Sequence, residues 1–214
     1  MNISYCLIMT TETPPHCARS AGRPREFNME AALDAALIVF SERGYQAAAI
    51  SDLTEATGLT AGSIYKAFGD KRGLFLGAFN RYWSERNARI MARIAPLPTG
   101  REKIRAVLAH YAEHSHGLEG KRGCLVVGSA HDLALLDAEA AQRVSDVFTA
   151  NLHRLKQQIV AAQADGSVRH DLDPDTTARS LLCLTMGMRV VGKTGQTTEA
   201  DMQAVADTAM KILD

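Results

Sequence analysis

The residues that build sheets are scarce in this chain: aromatics make up 6% of its 214 residues, Trp occurs once, and Ala and Leu outnumber Val, Ile and Tyr. That shortage favours helices over strands, and the fold class it predicts is all-α. The four cysteines (Cys6, Cys17, Cys124, Cys183) lack the spacing of a zinc finger or of a disulfide framework, which fits a reducing cytoplasm. No apolar run reaches the roughly 18 residues of a membrane span, and the best late candidate, LLCLTMGMRVV, is too short and contains Arg189. The early run ISYCLIM has no basic region before it, so it is not read as a signal peptide, and no membrane partner is expected. Net charge is also missing: the formal value is zero. Residues 21–95 carry ten Lys/Arg against eight Asp/Glu, so no global basic field points to nucleic acid, and any such claim must rest on the arrangement of groups.

What is present is a chain punctuated by helix caps and stops. Residues 1–22 mix Thr, Pro, His, Ser and Gly without periodicity and read as a disordered tail, in which Met9 is an alternative start. Asn28 is an N-cap for a helix in which Leu33, Ala36, Leu37 and Phe40 share a face, with Gly44 as a left-handed stop. A short helix follows over about 50–57, with Ile50, Leu53 and Ala56 inward, and ends at Gly58. Thr60 caps the next, about 61–68, whose inward residues are Ile64 and Phe68, with Leu59 before it. Asp70 caps a fourth helix running to about Arg93, before Pro96 and Pro98. Further helices are predicted at about 99–116, 124–136, 138–164, 174–192 and 198–213, punctuated by Gly117, Gly120, Asp137, Gly166, Asp173-Pro174, Gly192, Gly195 and Thr198. The division that results is 1–22 tail, 23–72 small N-terminal domain, and 73–214 larger helical domain.

The helix at 61–68 is poor in large apolar residues for one that only packs. Ala61, Gly62 and Ser63 are small enough for close approach, Tyr65 carries a hydroxyl on a rigid ring, and Lys66 and Lys71 carry charge. Two short helices joined by a Gly-containing turn are the sequence form of a helix-turn-helix, whose second helix lies in the DNA major groove while flanking groups grip phosphates. Composition alone would favour the plainer reading, an αα-hairpin that merely packs.

The spaced motif decides between them. The span AALDAALIVFSERGYQAAAISDLTEATGLTAGSIYKAFGDKRGLF resembles the N-terminal domain of the tetracycline-repressor (TetR) family of bacterial transcription regulators. The matching positions are Phe40 with Gly44-Tyr45, Ile50-x-Asp52-Leu53, and Thr57-Gly58-Leu59-Thr60-x-Gly62-Ser63-Ile64-Tyr65-x-x-Phe68-x-x-Lys71. The resemblance implies that Tyr65 and Lys71 contact phosphates and that Thr60–Ala67, with Ala61, Gly62, Ser63 and Lys66, hold the groups facing base edges. It also implies a double-stranded DNA operator as partner. Arg23 and Arg25, held apart by Pro24, resemble the family's basic arm, which can reach a minor groove; a solvated linker is the alternative. One departure stands out. The family usually has Thr or Ser near Ala48-Ala49 to cap the second helix, a loss of about 1 kcal/mol if nothing replaces it, and Ser51 is the expected substitute.

By the same resemblance the remainder is an effector-binding and dimerisation domain, and the last two helices of each subunit form a homodimer interface. A two-fold dimer lets two heads meet half-sites about 34–36 Å apart. Candidate lining of a pocket for an unknown small-molecule inducer is Phe79, Tyr82, Trp83, Tyr111, Cys124, His131 and Phe148, with simple core packing as the alternative for each. Cys124, at a helix start beside Lys121 and Arg122, has the setting of a reactive thiolate; a small buried residue is the competing reading. His110 and His114 stand at i, i+4, but no Glu-His pattern or cysteine pair completes a metal site, and neither a metal nor a cofactor is expected. No G-x-S-x-G, phosphate loop or H-E-x-x-H supports an enzyme. The expectation is a transcriptional repressor released from its operator by a small-molecule or reactive inducer. Its rivals are a dimeric interaction adaptor without DNA binding and a small enzyme.

Overall fold

Polar caps set the register of the helices. In the computed structural model, which describes residues 27–214, Asn28 Oδ1 accepts the N–H groups of Glu30 and Ala31 and starts α1 (Met29–Ala47). The tail and the arm with Arg23 and Arg25 lie outside the described residues. After α2 (Ile50–Thr57), Thr60 Oγ1 accepts from the Ser63 N–H at 3.2 Å to start α3 (Ala61–Phe68). Asp70 Oδ1 accepts from the Gly73 N–H at 2.7 Å and opens α4 (Lys71–Ile94). Thr99 and Glu102 form a reciprocal capping box at α5 (Gly100–Glu113). Then come α6 (Gly117–Arg122), α7 (Leu125–His131), a 3-10 turn at Leu133–Leu135, α8 (Ala138–Ala164), α9 (Pro174–Gly192) and α10 (Glu199–Met210). Asp137, Asp173 and Thr198 cap the last three. Among the described residues every regular element is a helix.

Several predicted details change. Gly44 does turn to φ 80°, but its ψ of 165° kinks α1 instead of ending it, and one further turn reaches Ala47. Ser51 does not cap α2; the Asp52 carboxylate takes the Ala49 N–H at 2.9 Å and also meets Arg43 at 3.0 Å. Ala56 faces solvent; in α2 Leu53 is buried and Ile50 packs half-buried against the same core. The helix predicted at 99–116 stops at Glu113, and the glycines read as punctuation instead begin and build α6. Its Gly120 is so closely packed that a Cβ there would lie 2.8 Å from the Ser115 backbone. The helix predicted at 124–136 is α7 plus the 3-10 turn.

Two apolar cores result, and α4 serves both. Leu74, Phe75, Ala78 and Phe79 pack with Phe40, Leu53 and Ile64 in the first, which also takes in Cys124, Leu125 and Val126 of the α7 region and Val144 and Val147 of α8. Ile90 and Ile94, lower on α4, join Leu108, Leu155, Ile159, Leu181 and Met210 in the second. The N-terminal helices therefore rest on α7 and the first half of α8 through continuous apolar packing.

Candidate nucleic-acid interface and buried cationic site

On α3 one residue faces in and its neighbours face out. Ile64 is fully buried, whereas Tyr65 is 47% exposed and Thr60, Gly62 and Lys66 are exposed as well. Ala61 and Ser63 are half-buried, and Ser63 Oγ lies 3.0 Å from Thr60 Oγ1, so the cap also fixes the serine hydroxyl. No other part of the protein covers this face among the described residues. The sequence thus brings Thr60, Ala61, Gly62, Ser63, Tyr65 and Lys66 to one accessible strip.

Lys71 stands at the edge of that strip and is engaged by its own chain. Its Nζ donates to Gln46 O at 3.1 Å and lies 4.8 Å from the Tyr45 ring centroid, and partial burial lowers its pKa. An ammonium has three donors, so this bond leaves two for an external anion. Gln46 Nε2 donates in turn to Leu135 O at 2.9 Å. Arg72 Nε pairs with Asp137 at 2.7 Å, and its Nη2 pairs with Glu139. The 3-10 turn is thereby linked through Gln46 to Lys71, and the start of α8 is bonded directly to Arg72.

Following α7 back from that turn leads to Cys124, its N-cap, 5% exposed. Arg86 Nη1 approaches Sγ at 3.2 Å and the Tyr82 hydroxyl donates to it at 3.3 Å. Burial alone would push the thiol up, but Arg86, Arg189 and the Tyr82 bond outweigh it and bring the thiol down to about 7. Gly123, at φ 89°, turns the chain so that its carbonyl accepts from Arg189 Nη2 at 2.8 Å; a side chain there would be strained and would meet Lys193. Arg86 is 8% and Arg189 2% exposed, yet their bonds go to Tyr82, Cys124 and Gly123, none of them a carboxylate. Arg86 also lies over the Tyr111 ring, 4.3 Å from its centroid. Arg86 Nη2 and Arg189 Nε and Nη1 are buried without an acceptor.

Two cavities flank this cluster. The larger, about 360 Å³, lies between the end of α1, α7 and the end of α9, with Cys124, Arg189 and Lys193 in its lining. The smaller, about 150 Å³, includes Tyr82, Arg86 and His110. Of the predicted lining, Cys124 and His131 border the larger cavity and Tyr82 the smaller. Phe79 and Tyr111 instead lie within the two cores, Trp83 is taken up by Arg154, 5.6 Å from its centroid, and Phe148 packs at a core margin. The sequence reading missed Arg86 and Arg189. The available signal was position: Arg86 lies one turn beyond Tyr82 on an apolar face, and Arg189 interrupts an apolar run.

The histidines differ from expectation in one respect. Glu113 joins His110 and His114, the three donor groups lying within 4.8 Å of one another. Glu113 is nevertheless held by both Arg93 Nη atoms, at 2.6 and 2.7 Å. Burial, reinforced by His114 and by Arg86, Arg93 and Arg89, takes His110 down to about 3.

Comparison with known proteins agrees with the geometry. The family described as "Bacterial regulatory proteins, tetR family" matches residues 32–84, and "Tetracyclin repressor-like, C-terminal domain" matches residues 100–207. The HTH-type transcriptional repressor ComR of Escherichia coli (strain K12) is 28% identical over 208 residues, covering 95% of this chain and 97% of its own. The repressor BdcR of the same organism is 30% identical over 158 residues, covering 67% and 76%. A cysteine mutant of the TetR family transcriptional regulator CifR, complexed with 26bp double-strand operator DNA, superposes with a TM-score of 0.78 at 27% identity, covering 90% of this chain and 100% of its own.

Proposed function

The chain belongs to the tetR family of bacterial regulatory proteins, and from that premise we propose how this member reads DNA and lets it go. It is a DNA-binding transcriptional regulator, a repressor whose partner is a double-stranded operator and whose release is ligand-responsive. Its relatives are regulators and not enzymes. No helix among the described residues is long and apolar enough to cross a membrane, and we assign the protein to the cytoplasm.

In this reading residues 23–72 form the DNA-binding head. Thr60, Ala61, Gly62, Ser63 and Lys66 face base edges, Tyr65 and Lys71 hold phosphates on either side, and Arg23 and Arg25 reach the neighbouring groove. The observation that carries it is the accessible polar strip of α3 backed by the buried Ile64. Dimerisation through α9 and α10 is supported by an open apolar groove lined by Leu184, Val205, Ala209 and Ile212. Fluorescence anisotropy with DNA from the protein's own promoter region tests the head. Lys71→Ala should weaken binding to all sequences and flatten the salt dependence, whereas Ser63→Ala should alter sequence preference. An unchanged affinity and salt slope for Lys71→Ala would sink the docking.

Release follows if an inducer favours the form that does not fit DNA. Coupling of about 1–3 kcal/mol changes operator affinity several-fold to a hundredfold. The path we assign runs from the larger cavity through α7 and the 3-10 turn to Gln46, Lys71 and Arg72. A reactive inducer is a second reading, favoured by the lowered Cys124 thiol. An electrophile should then free DNA from the wild type but not from Cys124→Ser.

A further inference from the structure

Buried guanidinium groups ordinarily come with an acid, because a desolvated cation without a counter-charge is strongly unfavourable. Arg86 and Arg189 have none, and three of their nitrogen atoms find no acceptor. The Cys124 thiolate can balance one positive charge; His110, neutral, balances none. One cation remains. Arg189 forms part of the lining of the 360 Å³ cavity, together with Cys124 and Lys193, whose Nζ is bonded to Ser41 O at 3.2 Å. Of the two acids bordering that space, Glu42 is turned to Arg122 at 3.4 Å, leaving Asp132. Phe40, Val127 and Val190 give the cavity apolar wall as well.

We propose that this cavity binds a small monocarboxylate with an apolar body, its carboxylate taking an Arg189 donor that the protein leaves without an acceptor. The inference deepens the ligand-responsive reading above and rests on it only for its regulatory meaning. Arg189 Nε and Nη1 lie on different edges of the guanidinium, so a carboxylate takes a charge-assisted bond from one of them, paired with the second N–H of Nη2 where that is free, and the apolar wall gives the tail a place. The ligand would share its cations with the thiolate. Binding must therefore disfavour the thiolate and raise the pH at which Cys124 ionises, against Tyr82 and Arg86 on α4, Tyr111 on α5 and Arg189 on α9, the groups bearing on it.

The test is the rate at which iodoacetamide alkylates Cys124 in the full-length wild-type protein, read by peptide mass spectrometry across pH at constant ionic strength. N-acetylcysteine in the same tubes is the reference, and the probes are acetate through octanoate, benzoate, the matching neutral amides, and inorganic phosphate. We expect one or more carboxylates to move the midpoint of the pH–rate profile upward saturably, slowing alkylation near pH 7 by about fivefold for a one-unit rise. Arg189→Met should abolish the carboxylate response while keeping the helical circular-dichroism spectrum. No saturable shift with any carboxylate, an equal effect of the amides, a lowered plateau at an unmoved midpoint, or a response to phosphate alone would each overturn the proposal. Operator binding measured on the same preparation separates the two readings. Intact specific DNA binding beside a negative alkylation result leaves the regulator assignment standing, and lost DNA binding beside a positive one leaves the carboxylate site standing.

Discussion

The strip on α3 and the cluster around Cys124 both present cations without an acid of their own, but one set stands in water and the other in the interior. Lys66 is exposed, so leaving it unpaired costs the folded protein little, and its charge remains available to the DNA groove. Arg86 and Arg189 are buried, and together with the Tyr82 bond they bring the Cys124 thiol down against its burial; His110 goes down chiefly by burial, with His114 and Arg86 adding to it. The same charge is a recognition group at the surface and a source of electrostatic tension inside. Four measurements break or sharpen that contrast.

The largest effect should come from two neighbours on α3. Ile64→Ala removes a fully buried side chain from the head core and should cost about 2–5 kcal/mol in urea unfolding, with specific DNA binding lost as the head loosens. Tyr65→Ala, one residue on and half exposed, should leave unfolding nearly unchanged while weakening operator binding. Equal loss of stability in both would mean that α3 has no free face.

Acid should expose the interior tension next. His110 sits near 3 in the folded protein against an ordinary 6.5, so the unfolded chain takes up the extra proton between those values. The stability this group contributes is whole above pH 6.5 and fades as pH falls toward 3, by at most about 5 kcal/mol. His110→Gln should lack that component, and the difference between the two unfolding curves isolates it from general carboxylate protonation. Parallel curves would mean that neither burial nor the surrounding cations hold His110 neutral.

The contrast also explains what could be read without a structure. Asn28, Thr60, Asp70, Asp137, Asp173 and Thr198 act through bonds to N–H groups two or three residues ahead, so their caps are local and legible. The motif from Thr57 to Lys71 is local too. Cys124, Arg86 and Arg189 come from three separate helices, and an arginine in isolation reads as surface, which is why the cluster was seen only at its cysteine. The same applies to α6: its glycines look like breaks, and only contact with Ser115 gives Gly120 its reason. Ser51 lost the α2 cap to Asp52 because the longer side chain at the third helical position reaches back to the Ala49 N–H.

Alkali should produce a smaller effect of the same kind. Cys124 ionises near 7 in the folded state and at about 8.5 when unfolded, so the unfolded chain holds the proton in between. Stability from this group is complete above the unfolded value and disappears as pH falls through 7, about 2 kcal/mol in all. Wild type should gain on Cys124→Ser by that amount between pH 6 and pH 9.5 in denaturant titrations. A constant difference across that range would mean that the guanidiniums do not hold a thiolate.

The smallest effect is a contrast within the head itself, between a cation left free and one already engaged. Lys66→Ala should alter sequence preference and also lower the slope of log affinity against log salt, because a cation brought into the groove displaces condensed counterions even where it faces a base edge. Arg72 lies close by in sequence, but its guanidinium is occupied by Asp137 and Glu139, so Arg72→Ala should leave the slope nearly where it was. If Arg72→Ala moved the slope as much as Lys66→Ala, its carboxylate partners would have to let go when DNA binds. The bond between α8 and the head would then open on the operator instead of holding, and the path from Cys124 to the reading helix would run in the reverse sense from the one assigned above.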